Sequence, residues 1–167
     1  MLAALDWLER RLAGLLGLAA LAFGTYSVIG RYLDQQIAFV NGEEVVVYLI
    51  VWAVFLAASQ LVRTDGHVRP DIVLRLLPPQ GQRWAESINC CVAIAFCAGL
   101  AWYGWTIVST SWALDERSET GLQFPMWLYY AAVPTGGALM TLRYVIRLHR
   151  YLFRFDPHTM VIAPGEH

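Results

Sequence analysis

The side chains best equipped for chemistry stand at the ends of long apolar runs. Glu43 and Glu44 open one run, Arg63, His67 and Asp71 follow it, and Arg143 lies near the end of another. Two neighbouring carboxylates could hold a proton or a cation. At a helix start, however, the positive end of the macrodipole stabilises them without any such task. His67 follows Gly66, whose backbone freedom suits a turn, so local hydrogen bonding accounts for it. A haem-bearing or quinone-reactive anchor needs imidazoles projecting into a bundle. Here His67 is on a loop, His149 at a helix end, and His158 and His167 in the tail. Burying a charge at mid-membrane is costly unless it has a function, and no apolar run carries an ionisable residue near its centre. There is no phosphate-cradling glycine loop, no paired CxxC motif and no nucleophile triad. Catalytic residues, cofactors and metals are therefore not expected, and neither is ATP hydrolysis.

The elements that must position these residues follow from composition. Of 167 residues, 57% are hydrophobic, and the mean hydropathy is +0.47. That is more apolar than the ~45–50% of soluble domains. The net charge of −1 and the lack of a concentrated basic patch argue against nucleic-acid binding. Cys90, Cys91 and Cys97 share one apolar segment and read as packing residues rather than a disulfide framework.

The expected fold is all-α and integral to the membrane. A single domain, 1–155, carries four transmembrane helices at about 12–32, 44–62, 87–109 and 126–148, followed by a tail at 156–167. Two amphipathic surface helices are expected. One is an N-terminal lead-in with Leu2, Leu5, Leu8 and Leu12 among Asp6, Glu9, Arg10 and Arg11. The other is a segment opened by Pro70 and closed by Pro78 and Pro79. The first apolar run is longer than the ~7–15-residue core of a signal peptide, so it reads as a retained span. Gly17, Ala20 and Gly24, and again Ala93, Cys97 and Ala101, form small-residue stripes for close helix contact. Gln60 and Asn89 are candidates for polar contacts between helices. Pro134 should bend or unwind the last span, and Gly136 and Gly137 permit close approach there.

The chain has no lysine, and ten of its twelve arginines fall on one side of this arrangement. The positive-inside rule then places both termini in the cytoplasm. Arg143, Arg147, Arg150 and Arg154 share one helical stripe, which suits either snorkelling toward lipid headgroups or docking of a partner. The loop with Asp115, Glu116 and Glu119 is acidic, as are Asp34, Glu43 and Glu44 on the same side.

Taken in order, Glu44, Trp52, Phe55-Leu56-Ala57, Arg63, Gly66, His67, Asp71, Pro78-Pro79, Pro125, Trp127, Tyr130, Pro134, Gly136, Met140 and Arg143 resemble the small membrane subunit, the DctQ-like or Q subunit, of tripartite ATP-independent periplasmic (TRAP) transporters. The resemblance covers about 43–143. Ala57 and Ala58 stand where the family often has glycine, and Pro70 where a β-branched residue is more usual. The resemblance implies a non-enzymatic scaffold in the bacterial inner membrane, part of a sodium-driven importer of a carboxylate or related organic acid. Its implied partners are a large multi-span membrane subunit, a periplasmic substrate-binding protein and membrane lipids. Glu43, Glu44, Trp52, Arg63, His67, Asp71, Pro125, Trp127, Pro134 and Arg143 are the candidate partner or scaffold contacts, the acidic outer residues facing the binding protein. The competing readings are a stand-alone four-span exporter and a membrane anchor of a redox enzyme.

Overall fold

Long apolar runs without interior proline propagate as helices until polar or proline-bearing segments stop them. A computed structural model describes residues 2–33, 41–63 and 78–154, and every regular element among them is a helix. These are α1 (Leu2–Leu33), α2 (Gly42–Arg63), α3 (Pro79–Ala113), α4 (Met126–Tyr130) and α5 (Ala132–Phe153). Three stretches are long and apolar enough to cross a membrane: Leu5–Leu33, Gly42–Arg63 and Pro79–Ala113. The chain is thus a multi-pass membrane protein by the length and composition of its helices.

Residues 126–148, expected as the fourth span, form α4 and most of α5, with a break at Ala131. The expected distortion at Pro134 is present. Its nitrogen has no hydrogen to donate to the preceding turn, and its ring crowds that turn. The break is closed locally. The Ala131 amide donates to the Trp127 carbonyl at 3.0 Å, and Thr135 donates to the Ala131 carbonyl from its amide at 3.2 Å and from its hydroxyl at 2.7 Å.

The N-terminal lead-in requires a correction. It is not a separate surface helix, because α1 runs unbroken from Leu2 to Leu33. The segment is rich in Leu, Ala, Glu and Arg, all strong helix formers, and no proline interrupts it. Its Glu9 is buried against neighbouring helices instead of standing on an exposed polar face. The second expected surface helix, opened by Pro70, and the tail at 156–167 lie outside the described residues. Pro78 caps α3 and Pro79 is its first residue, so the proline pair starts a helix whatever it ends.

The helices stand in a row. α1 packs along α2, α2 against α5, and α5 along α3, with α4 seated on α3. Val62, Cys97 and Met140 form the buried core, joined by Phe55, Ala58, Leu100 and Tyr144. Members of both expected small-residue stripes serve contacts within the chain. A Cβ on Gly137 would sit 3.0 Å from the Cys97 carbonyl oxygen and the Ala101 nitrogen, so α3 and α5 touch backbone to backbone. A Cβ on Gly136 would lie 2.6 Å from the Phe55 ring. On α1, Ala20 is buried and Gly24 faces Val46 of α2. A row leaves broad faces open, and Leu15, Leu21, Ile88, Val92 and Phe96 are all exposed on them.

Candidate functional site

At the end where α1 begins and α5 finishes, three helices bring charges together. Asp6 and Glu9 are three residues apart and so share a face of α1. Ser59, Gln60 and Arg63 come from the last turns of α2, and Arg143 from the middle of α5. The Arg143 guanidinium donates from Nη2 to Asp6 Oδ1 at 2.8 Å and Glu9 Oε2 at 2.7 Å, and from Nε to Ser59 Oγ at 2.8 Å. Ser59 Oγ donates to Glu9 Oε2 at 3.2 Å, and Gln60 Nε2 donates to the same oxygen at 2.5 Å. Arg63 completes the set by pairing with Asp6 Oδ2 at 2.7 Å.

This cluster is sequestered: the Arg143 side chain is 10% exposed and that of Glu9 only 3%. Two carboxylates face two guanidinium groups, so its charge is balanced. Planar guanidinium forks suit such buried multidentate pairing. Glu9 Oε1 is buried with no hydrogen-bond partner among the described residues.

A second knot lies beside it. Arg147 pairs with Glu86 of α3 at 2.9 Å and stacks over the Tyr151 ring. Arg83 of α3 donates to the carbonyls of Tyr151 and Leu152 at 2.8 and 2.6 Å, satisfying the C-terminal turn of α5. The arginine stripe therefore divides. Arg143 and Arg147 turn inward to carboxylates, which corrects their reading as part of a snorkelling or docking stripe, while Arg150 and Arg154 remain exposed. Their position explains the change, since burial among carboxylates offers charge-assisted bonds that a headgroup contact would have to displace.

The opposite end is built from local polar contacts and aromatic rings. Glu44 accepts hydrogen bonds from Tyr48 and from Thr120, which fastens the loop before α4 onto α2. Within that loop the Ser118 amide donates to the Phe124 carbonyl at 3.0 Å and the Met126 amide to the Glu116 carbonyl at 3.0 Å. Trp52 Nε1 donates to the Leu128 carbonyl at 3.1 Å, and Trp127 meets Trp112 edge to face at 4.8 Å. Arg31 pairs with Glu43, both exposed. Pro125 caps α4, and Pro134 is buried, its ring 3.0 Å from where a Cβ on Gly104 would sit.

Of the residues singled out from sequence, Arg63 and Arg143 meet in the buried cluster. Glu43, Glu44, Trp52, Pro125 and Trp127 gather at the opposite end, and His67 and Asp71 lie outside the described residues. Gln60 makes the expected interhelical contact, whereas Asn89 is exposed. Sequence reading missed Asp6, Glu9, Ser59 and Glu86 as members of the buried clusters. The available signal was the pairing of polar positions near one end of several spans with an arginine low in the last one. Among the described residues no three His, Cys, Asp or Glu side chains converge in a way that could hold a metal ion.

Comparison with known proteins bears on what this architecture serves. The sequence model of the family described as tripartite ATP-independent periplasmic transporters, DctQ component, matches residues 11–154. The C4-dicarboxylate TRAP transporter small permease protein DctQ of Rhodobacter capsulatus is 29% identical over 132 residues, covering 79% of this chain and 56% of that protein. The protein of the same name from Pseudomonas aeruginosa is 30% identical over 108 residues, 62% of this chain and 50% of the relative. A longer protein of Oleidesulfovibrio alaskensis, the isethionate TRAP transporter permease protein DctMQ, is 26% identical over 148 residues, 83% of this chain and 23% of its own length. The chain thus spans about half the length of the small permeases it matches.

Proposed function

Because the chain belongs to the DctQ component family of tripartite ATP-independent periplasmic transporters, we propose that it is the small accessory subunit of a sodium-driven, binding-protein-dependent importer of small organic acids. The family is one of transporter permease subunits, not of enzymes. In this reading the chain braces a large multi-span subunit in the bacterial inner membrane, with four crossings, both termini in the cytoplasm, and α4 and α5 together as the fourth.

The observation that carries the scaffold role is the inward use of charge. Arg143 and Arg147 bind Asp6, Glu9 and Glu86, an arrangement suited to holding helices in register rather than to passing a solute. About 20 residues span the hydrocarbon core, so Gly14–Leu33 suffices for α1 and leaves Asp6 and Glu9 near the cytoplasmic boundary. The names of the relatives, for C4-dicarboxylates and isethionate, support an organic anion as the transported solute. The alignment of this chain to part of a protein named DctMQ supports a large-subunit partner.

The ten candidate contacts enter this proposal unequally. Glu43 is exposed, and with Asp115 and Glu119 it offers the binding protein an acidic surface. Trp52, Pro134 and Arg143 act on the partner through the shape they give this chain, and Pro125 and Trp127 through the loop end. Glu44, Arg63, His67 and Asp71 complete the set.

The test is co-purification with only this chain tagged, followed by uptake in liposomes. A stoichiometric complex with a large membrane subunit, importing solute only with a binding protein and a sodium gradient, is the expected result. Purification alone with proton-coupled efflux, or a haem absorbance band, would overturn it in favour of an exporter or a redox anchor.

A further inference from the structure

A groove runs down one side of the α1–α2 pair. It is a hollow of about 570 Å³ walled by Gly17, Ala20, Gly24 and Val28 of α1 and by Val46 and Ile50 of α2. A second hollow of about 390 Å³ shares Gly24, Val28 and Val46 and ends at Arg31 and Glu43. Thr25 also borders the groove, but its hydroxyl is bonded to the Leu21 carbonyl at 2.8 Å, so the lining stays apolar. From Gly17 to Arg31 the groove covers about 21 Å of helix at 1.5 Å per residue. Counted from the headgroup level at Arg31, the part from Ala20 to Arg31 takes up about half of a ~30 Å hydrocarbon core, the depth of one leaflet, and the Gly17 end lies beyond the midplane.

Its mouth is chemically distinct. Arg31 lies in the last turn of α1 and Glu43 in the first turn of α2, so both stand at the membrane surface beside the exposed ring of Tyr32. They form an ion pair whose side chains remain 62% and 74% exposed. A guanidinium beside a carboxylate is complementary to a phosphate beside an ammonium, with the phosphate on Arg31 and the ammonium on Glu43. The slot is also narrow, because Ala20 is already buried against α2 and a Cβ on Gly24 would lie 3.7 Å from Val46.

We propose that the α1–α2 groove is a binding site for one ethanolamine phospholipid of the adjoining leaflet, its acyl chain along Ala20–Val28 and its zwitterionic headgroup on the Arg31–Glu43 pair. This assignment stands apart from the transport reading, since it needs only that α1 and α2 cross a bilayer.

The test equilibrates the full chain in vesicles of equal phosphatidylethanolamine and phosphatidylglycerol, extracts it in mild detergent, and counts retained lipid by native mass spectrometry. One phosphatidylethanolamine per chain, retained in preference to phosphatidylglycerol, is expected. Neutralising the pair with Arg31→Gln and Glu43→Gln removes charge-assisted bonds and should lower retention on the order of tenfold. Val28→Phe fills the groove from an exposed position and should abolish retention with helix content unchanged by circular dichroism. Equal retention of the two lipids, or undiminished retention in Val28→Phe, would overturn the proposal. So would a photo-crosslinker at position 28 that captures the large subunit instead of lipid.

Discussion

The two ends of the α2–α5 seam use polar residues in opposite ways. At the end holding Asp6, Glu9, Ser59 and Arg143, charges from three helices are withdrawn from solvent and interlocked. At the other end, Arg31–Glu43 and Arg117–Asp115 are exposed pairs, and Glu44 holds Tyr48 and Thr120 at the rim of the loop. Burial decides what each is worth. A buried ion pair stabilises weakly relative to apolar replacements, yet removing one partner strands a charge at a cost of several kcal/mol. An exposed pair is screened, and its loss is nearly silent. One end therefore fixes which helices meet, while the other shapes a surface.

The largest expected effect comes from breaking the buried end. Arg143→Met leaves Asp6 and Glu9 facing each other without their shared cation and should destabilise the chain by roughly 3–5 kcal/mol. The measurement is unfolding in mixed micelles followed by circular dichroism. If the cost arises from stranded charge, then Arg143→Met combined with Glu9→Met should recover part of it. A purely additive double variant would contradict the coupling.

Steric contacts between the two ends come next. Gly137→Ala places a methyl 3.0 Å from the Cys97 carbonyl and the Ala101 nitrogen, where backbone must shift. About 1–3 kcal/mol is expected in the same assay. Gly17→Ala is its control, because nothing stands within 4 Å of its Cβ position. Equal losses from the two would refute a backbone-to-backbone α3–α5 contact.

Smaller effects belong to the loop end. Tyr48→Phe deletes the hydroxyl that bonds Glu44 while keeping the ring against Phe124 and Tyr129, and should cost about 1 kcal/mol. Hydrogen exchange at residues 116–126 should rise with it if Glu44 fastens that loop. Arg31→Gln, at the exposed pair, should change stability by no more than ~1 kcal/mol. A loss comparable to that of Arg143→Met would erase the distinction between the two ends.

Most of the framework was legible along the chain. The apolar runs marked α1, α2 and α3, Pro134 marked the break that divides α4 from α5, and Cys97, Ala101 and Gly137 were recognisable as sites of close approach. The lead-in was misread because its alternation of leucine with charge is the same whether the polar face meets headgroups or another helix. The arginine stripe was ambiguous for a related reason: offsets of four, seven and eleven residues establish a shared face, not what that face meets.

Length, hydropathy, helical period and family pattern are properties of neighbouring residues, and the sequence by itself determined them. The partners of Arg143 were decided only by tertiary structure. Asp6 lies 137 residues away along the chain and Ser59 lies 84. They meet because α1 packs on α2 and α2 on α5. A charge pair acts over a few ångströms in space, and no local pattern encodes which distant side chain will occupy them.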